Sequence, residues 1–227
     1  MIRRFTQSFV RCHKGIMNRK YLLDSLDGLK ALVFRLLPAE IVETIAYVPM
    51  TTDGPWPDAD KAVFETAIGI PSKRTFWTPG NFVNVPPSND REARSKWVDA
   101  VANISHRYLF LDPDTGFYTR HTGESQKMVL VKELGVMLRN CEALIVYRHK
   151  YWPNPKLEDV PGHAYPYVWH GLHLLRNEGF AAFAYQSQAA SFFFISGQKS
   201  GIKPLEKGLR HSLTGVSPTV IGRRLVL

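Results

Sequence analysis

The sequence predicts an α/β fold with a mainly parallel central sheet, helices on both faces of that sheet and a C-terminal antiparallel β-hairpin. Short apolar runs of the kind that form buried strands alternate with segments of helical periodicity over most of the chain. Late in the chain, two strand-like runs are separated only by residues 186–190. That connection is too short for the crossover that parallel strands need, so the two runs predict a hairpin.

The composition is that of a folded globular protein. The chain has 227 residues, of which 44% are hydrophobic and 12% aromatic, enough for one large domain. No apolar run approaches the roughly 18 residues that a membrane span needs. The two cysteines, Cys12 and Cys141, lack metal-ligand spacing, which fits a reducing compartment and a cytoplasmic protein. Disordered, membrane-spanning and disulfide-framework proteins are therefore poor matches to this chain.

Positive charge is concentrated at the start of the chain. The whole sequence has 29 Lys and Arg residues against 20 Asp and Glu residues, a net charge of +9. Asp24 is the first acidic residue, and these basic residues precede it: Arg3, Arg4, Arg11, Lys14, Arg19 and Lys20. Residues 1–17 are predicted to form a basic arm that neutralises nucleic-acid phosphates or lies on an anionic membrane. An Arg-rich, acid-free start is also typical of an organelle transit peptide, and a solvated tail is the simplest alternative.

The first half of the chain predicts a helix ahead of the first strand. Residues 18–37 place leucines at helical spacing, and Pro38 ends that helix. The later elements of this half are, in order, a strand at residues 44–48, a loop at 49–60, a helix at 59–68, a strand at 73–77, a loop at 78–90 and a helix from the capping residue Asp90 to about 104.

The second half continues the alternation and then breaks it. Its predicted elements are a strand at residues 107–111, a helix at 126–140, a strand at 143–147, a helix at 165–178 that ends at Gly179, and hairpin strands at 180–185 and 191–196. Residues 18–200 are thus predicted to form one Rossmann-like domain. Residues 201–227 are predicted to extend the same domain with a short helix and a terminal strand or arm.

Three loops of this arrangement are expected to meet. Ligands of such sheets bind beyond the carboxyl ends of the strands. The loops at residues 49–60, 112–125 and 148–162 each follow a predicted parallel strand, so they should lie along one rim of the sheet.

The segment Asp112-Pro113-Asp114-Thr115-Gly116 directly follows a predicted buried strand. Pro113 fixes the backbone and Gly116 permits positive φ, so Asp112 and Asp114 should be held close together. Two such carboxylates could bind a hard divalent cation, act as a general base, or accept hydrogen bonds from an amino group. The alternative is a well-formed turn without chemistry, because all these residue types favour turns.

The loop after the first strand stands where a doubly wound fold places its cofactor loop. Its candidate cofactor-binding residues are Met50, Thr52, Asp53 and Gly54. Neither GxGxxG nor GxxxxGK[ST] occurs, which argues against a standard dinucleotide or P-loop site. For Asp53 an ordinary Asp-Gly turn is an equal alternative.

Basic and aromatic residues follow the third predicted strand. Arg148, His149 and Lys150 could hold a phosphodiester or move a proton, and Trp152 lies where it could stack on a base. Glu133, on the helix between the strands, could add a carboxylate to a metal site. For the basic residues and Glu133, a solvated loop or helix surface is the simpler alternative, and for Trp152 it is ordinary packing of a large side chain over the sheet.

Several of these segments together resemble a family of poorly characterised microbial and phage-type proteins. The hallmark of that family is a strand ending Phe-Leu-Asp-Pro-Asp-Asn-Gly, followed later by a strand ending Tyr-Gln-His. The chain has Phe110 to Gly116 and Tyr147 to His149 at these places, with Thr115 for Asn and Arg148 for Gln. The resemblance covers roughly residues 18–197, including 21–30, 52–54 and 191–194.

More remotely, the order of elements is similar to that of Rossmann-like adenine-N6 methyltransferases that act on ribosomal RNA or DNA. Those proteins begin with a helix before the first strand, end the fourth strand with Asp-Pro-Pro-Tyr and close with a β-hairpin. The resemblance implies S-adenosylmethionine as a cofactor and Asp112 as the acid that accepts a hydrogen bond from the target amine. Asp114 and Thr115 stand where that family has the Pro and aromatic residue that contact the flipped base.

Three hypotheses follow. The first is an S-adenosylmethionine-dependent, methyltransferase-like enzyme acting on nucleic acid, with Asp112, Asp114 and His149 as catalytic candidates and Thr115, Gly116, Arg148, Lys150 and Trp152 as substrate-binding ones. The second is a Mg²⁺-dependent nuclease or phosphohydrolase with Asp112, Asp114 and Glu133 as metal ligands. The third is a non-catalytic, basic nucleic-acid-binding module.

Overall fold

The computed structural model describes residues 22, 25–52, 54–87, 89–113, 116–118, 128–149, 166–187, 190–214 and 224–226. Seven α-helices are described: α1 Ser25–Leu36, α2 Ala39–Val42, α3 Asp58–Ile68, α4 Arg91–Ala102, α5 Val131–Met137, α6 Pro166–Asn177 and α7 Lys199–Leu213. Eight strands are described: β1 Ile45–Pro49, β2 Tyr108–Asp112, β3 Phe117–Tyr118, β4 Val129–Leu130, β5 Ala143–His149, β6 Ala181–Gln186, β7 Ala190–Ser196 and β8 Arg224–Val226. Short 3₁₀ helices lie at Ser72–Arg74, Pro79–Asn81 and Leu138–Asn140.

The main sheet has six strands in the order β1-β2-β5-β7-β6-β8. The β1–β2 and β2–β5 pairings are parallel, whereas β5–β7, β7–β6 and β6–β8 are antiparallel. The α/β class and the closing hairpin are therefore confirmed, but the sheet is mixed and not mainly parallel. The physical reason is that β7 inserts between β5 and β6, so every pairing beyond β5 involves an antiparallel neighbour.

Helices cover both faces of the sheet, as predicted. Residues of α4, α5 and α6 pack in one apolar cluster with alternate strand residues such as Leu109, Val146 and Phe193. Residues of α1, α3 and α7 pack in a second cluster with the intervening strand residues, among them Tyr47, Phe110 and Tyr147. This division follows from the period-2 alternation of strand side chains.

Local sequence signals account for several helix ends. Asp90 caps α4, as predicted, because its Oδ1 accepts a hydrogen bond from the Ala93 amide at 3.1 Å. The α3 helix ends at Gly69 in the left-handed conformation, with φ +78°. Gly179, predicted to close α6, also has positive φ, at +85°.

Several predicted elements differ from the structure. The helix predicted at 18–37 is described from Ser25 as α1, and Leu22 lies in a turn. The segment 73–77 is not a strand: a 3₁₀ helix covers Ser72–Arg74, and only a single bridge joins Thr75 to Tyr47. The helix predicted at 126–140 begins at Val131, because Val129 and Leu130 pair in parallel with Phe117 and Tyr118. Local periodicity favours a helix at residues 129–130, but pairing with β3 decides their conformation.

The C-terminal segment packs against the same core as the rest of the chain. The buried side chains of α7 that join the cluster containing Tyr47 are Ile202, Leu205 and Leu209. The α7 helix has 15 residues and is longer than the short helix predicted. The terminal strand is present as β8, and the predicted arm at residues 1–17 lies outside the described residues.

Candidate active site

The carboxyl ends of β1, β2 and β5 lie along one edge of the sheet. Pro49 at the end of β1 has Asp112 as its Cα partner, and Leu111 is paired in parallel with Val146. Because β7 is antiparallel to β5 and β6, the β6–β7 turn lies at the same edge. The three predicted loops therefore start from a common edge, although most of their residues lie outside the described ones.

Asp112 is the last residue of β2 and only 1% exposed. The Tyr47 hydroxyl donates a hydrogen bond to its Oδ2, and the Lys30 ammonium lies 2.7 Å from the same oxygen. Within the described part of the chain, no group donates to Oδ1. One carboxylate oxygen is thus anchored by two donors, and the other has no donor among the described residues.

Lys30 is the centre of the buried charge cluster. It projects from α1, is 5% exposed, and also lies 3.0 Å from Oδ1 of Asp27 one turn earlier. Its ammonium lies 4.9 Å from the centre of the Tyr147 ring and 5.6 Å from that of Phe64. A buried ammonium among two carboxylates and two aromatic faces is well compensated.

The two donors to Asp112 have shifted pKa values. Burial alone would lower the pKa of the Lys30 ammonium, but the charges of Asp112 and Asp27 outweigh burial and raise it. Burial first and then the neighbouring charge of Asp112 raise the pKa of the Tyr47 hydroxyl well above its usual value. Both groups therefore remain protonated donors at neutral pH.

Gly116 and Arg148, two predicted substrate-binding residues, are in contact. Gly116 has φ +88°, and a Cβ placed there would lie 2.6 Å from Cγ of Arg148. The guanidinium of Arg148 lies 5.8 Å from the centre of the Phe117 ring. The glycine of the Asp-Pro-Asp-Thr-Gly segment is thus required both for its backbone conformation and for the space that Arg148 occupies.

The loop after β1 is fastened to residues 83–85. Oγ1 of Thr51 donates to the Val83 carbonyl at 2.9 Å, and the amide of Gly54 donates to Oδ1 of Asn84 at 2.9 Å. Gly54 has φ +99° with open space beside it. Among the predicted cofactor-binding residues, the Met50 side chain is fully buried in the core, whereas Thr52 and Gly54 are partly exposed.

His149 is the last residue of β5 and is partly exposed. It is two residues beyond Tyr147, so strand alternation places both on the face that carries Lys30. Its Cα partner is Ala190 at the start of β7. The structure thus places His149 at the same edge of the sheet as Asp112. The contacts described for the two side chains do not include one between them.

Glu133 belongs to a separate cluster on the other face of the sheet. Its carboxylate accepts two hydrogen bonds from Arg94, at 2.9 and 2.8 Å, and one from the Leu130 amide at 2.9 Å. Arg94 also donates to the carbonyls of Pro86 and Met128. These hydrogen bonds connect α4 to the start of α5. Glu133 and Asp112 thus belong to different side-chain clusters, on opposite faces of the sheet.

Five predicted site residues lie outside the described part of the chain: Asp53, Asp114, Thr115, Lys150 and Trp152. In the described ranges, no group of three His, Cys, Asp or Glu residues is arranged to hold a metal ion.

Burial raises the pKa of the Cys141 thiol to about 12, and the charge of Glu142 adds to the effect, so this cysteine is not a ready nucleophile.

Sequence reasoning missed Lys30, Asp27 and Tyr47. A signal for the first two was present: Lys30 is four residues from Leu26 and from Phe34, on the apolar face of the helix. A charged residue at a core position is buried only with a partner, and Asp27 is one turn away. Tyr47 had no such signal, because a tyrosine in an apolar strand is ordinary.

No protein-family model, curated protein or solved structure matches the chain. Within the described residues, no helix is both long and apolar enough to cross a membrane.

Proposed function

We propose that the chain is a cytoplasmic, Rossmann-like enzyme of the methyltransferase type that acts on nucleic acid with S-adenosylmethionine as methyl donor. One observation carries the proposal: Asp112 ends β2 with Oδ2 fixed by Lys30 and Tyr47, and Oδ1 has no donor among the described residues. A carboxylate held in this way is suited to accept a hydrogen bond from an amino group presented at the sheet edge.

The chain's own residues would act mainly by orientation. Asp112 accepts a hydrogen bond from the target amine through Oδ1 and so directs the nitrogen lone pair away from the carboxylate. Lys30 and Tyr47 hold the carboxylate in place, which reduces the reorganisation needed during reaction. The donor, when bound, would supply an electrophilic methyl group and leave as S-adenosylhomocysteine, and the amine nitrogen would lose one proton to solvent.

The loop after β1 is the candidate region for the donor. Thr52 and Gly54 follow Pro49, the register partner of Asp112, so the loop begins beside the anchored carboxylate. The open space beside Gly54 would let a ligand approach the backbone closely. The buried Met50 side chain supports the loop from the core and would not itself contact the donor.

Nucleic acid is the proposed substrate because of charge. The net charge of +9 favours association with a polyanion. Arg148 at the edge of the sheet adds a planar guanidinium, which suits phosphate recognition.

The test is a thermal-shift measurement of the full chain with S-adenosylmethionine, S-adenosylhomocysteine, Mg²⁺ and Mn²⁺. A ligand at a hundredfold its Kd stabilises by about 2.7 kcal/mol, and for a chain of this size that raises Tm by roughly 5–10 °C. Both adenosyl ligands should stabilise the wild type and Asp112→Asn, because the aspartate contacts the target and not the donor.

Two outcomes would contradict the proposal. A shift with metal alone that Asp112→Asn abolishes would favour the phosphodiester-cleaving hypothesis. An absence of any shift, with nucleic-acid binding retained, would favour the non-catalytic binding module.

A further inference from the structure

The α7 helix carries a stripe of basic side chains. Lys199, Lys203, Lys207 and Arg210 are all exposed, whereas the opposite side of the helix is buried. At 100° per residue these four side chains fall within about a quarter of the helix circumference. Successive lysines are roughly 6 Å apart along the axis, since each residue rises about 1.5 Å. The stripe is therefore continuous along the helix.

Three of the four cations are not neutralised within the protein. Nε of Arg210 lies 2.8 Å from Oε1 of Glu206, which is one turn earlier. Among the described residues, Lys199, Lys203 and Lys207 have no carboxylate within ion-pair distance. The stripe is thus a line of free ammonium groups on a folded element.

The positions of these positive charges are unfavourable for the stability of the α7 helix. The first turn of α7 contains Lys199 and no acidic residue, although the positive end of the helix dipole favours acids there. Lysines four residues apart also repel each other across one turn. A partner with matching negative charge would relieve both effects.

The stripe lies on the side of the sheet that carries the candidate active site. Ile202, Leu205 and Leu209 pack in the same apolar cluster as Tyr47 and Tyr147. Lys30 of α1 lies against the Tyr147 ring on this face of the sheet, and α1 packs against α7. The first turn of α7 lies at the other edge of the sheet, because a Cβ at Gly201 would overlap the Glu142 carbonyl just before β5. The stripe would therefore contact phosphates beyond the part of the nucleic acid that enters the site.

We propose that the exposed face of α7, formed by Lys199, Lys203 and Lys207, binds the phosphate backbone of the nucleic-acid substrate. The inference rests on the proposed function for the identity of the substrate. Insertion of α7 into a membrane is disfavoured, because its apolar side is already buried in the core. The stripe would contact phosphates without reading sequence, and so would set affinity and salt dependence.

The test compares two triple variants with equal changes in net charge. The first is Lys199→Gln, Lys203→Gln and Lys207→Gln, which keeps helix propensity nearly unchanged. The control is Lys61→Gln, Lys73→Gln and Lys96→Gln, at partly or fully exposed positions outside α7. Fluorescence anisotropy of a labelled single-stranded oligonucleotide gives the affinity of each full-length protein between low and moderate salt.

The α7 variant should bind roughly 100-fold more weakly than the wild type at 0.1 M salt, and its log–log salt slope should be less steep by about 2. The control should change little. Equal losses in both variants would overturn the inference, as would binding of phosphatidylserine vesicles through α7 without binding of oligonucleotides.

The donor thermal shift separates this inference from the proposed function. If the α7 variant keeps the shift with S-adenosylmethionine and loses oligonucleotide affinity, both proposals are supported. If the wild type shows α7-dependent oligonucleotide binding but no donor shift, the phosphate-binding face stands and the methyltransferase proposal fails.

Discussion

At the residue scale, the candidate site depends on a lysine buried between two carboxylates. Lys30 and Asp112 are 5% and 1% exposed, so neither charge is stabilised by water to any extent. Removing one member of such a pair typically costs about 3–5 kcal/mol, because the other charge remains buried and uncompensated. The cluster is therefore both a stabilising and a positioning device.

Lys30→Met is expected to lower the free energy of unfolding by about 3–5 kcal/mol. Urea denaturation measures the change. The matched control is Lys61→Met, since Lys61 pairs with Asp58 at the surface of α3, where such pairs contribute about 0–1 kcal/mol. Similar losses in the two variants would mean that the Lys30–Asp112 pair does not stabilise the fold.

Tyr47→Phe should be destabilising by about 1.5–3 kcal/mol at pH 8, because it removes a hydrogen bond to a charged acceptor. Tyr108→Phe is the control: its buried hydroxyl has no hydrogen-bond partner among the described residues, so its loss should be nearly neutral. Chemical denaturation of both variants tests this difference. A larger effect at Tyr108 than at Tyr47 would contradict the assigned contact.

The same contact predicts a dependence on alkaline pH. The folded-state pKa of Tyr47 is raised above its usual value of 10.0, so its contribution is fully present below pH 10 and is lost as pH rises above that value. The stability difference between the wild type and Tyr47→Phe should therefore be constant from pH 7 to about 9 and shrink above pH 10. A difference that grows with alkalinity would refute the assignment.

The central residue of this cluster could be predicted from the sequence, but its partners could not. Asp112 stands out because a carboxylate directly follows an apolar strand. Lys30 and Tyr47 reach it from positions 82 and 65 residues away, and only the packing of α1 and β1 on β2 brings them together. Such contacts depend on tertiary geometry, which no local pattern encodes.

At the element scale, the position of α7 depends on close packing of its first turn. A Cβ at Gly201 would collide with the backbone oxygen of Glu142 at the start of β5. Near the other end, a Cβ at Gly208 would lie 2.5 Å from Cδ of Pro38. These two glycines let α7 lie directly against its neighbours and thereby fix its basic face.

Gly201→Ala is expected to destabilise the protein by about 1–3 kcal/mol, because the helix must shift to relieve the overlap. Thermal or urea unfolding measures the loss. Gly197→Ala is the matched control, since a Cβ there meets nothing within 4 Å and the position has no positive φ. If both substitutions had the same effect, α7 would not be packed as described.

Element prediction succeeded where the local pattern was strong. The helix predicted at 59–68 and the hairpin strands agree with α3, β6 and β7 to within about a residue. It failed at 73–77, where a 3₁₀ helix replaces the predicted strand and only one bridge joins β1, and at 129–130, where pairing with β3 decides the conformation. The periodicity of such short segments does not distinguish helix from strand.

At the scale of the whole molecule, strand order is the feature that sequence did not reveal. The hairpin itself was predicted, but the insertion of β7 between β5 and β6 makes most pairings antiparallel. Either hairpin strand could have paired with β5 as far as local sequence is concerned. The parallel part of the sheet, β1-β2-β5, is the part that positions the candidate site.

The most direct test of the proposed function is transfer of a labelled methyl group from S-adenosylmethionine to adenine-containing oligonucleotides. The wild type and Asp58→Asn, a change at an exposed aspartate of α3, should incorporate label at similar rates. Asp112→Asn, with folding confirmed by circular dichroism, should be slower by on the order of 100-fold or more. No incorporation by the folded wild type, or an equal rate in Asp112→Asn, would contradict the assignment of Asp112 to methyl transfer.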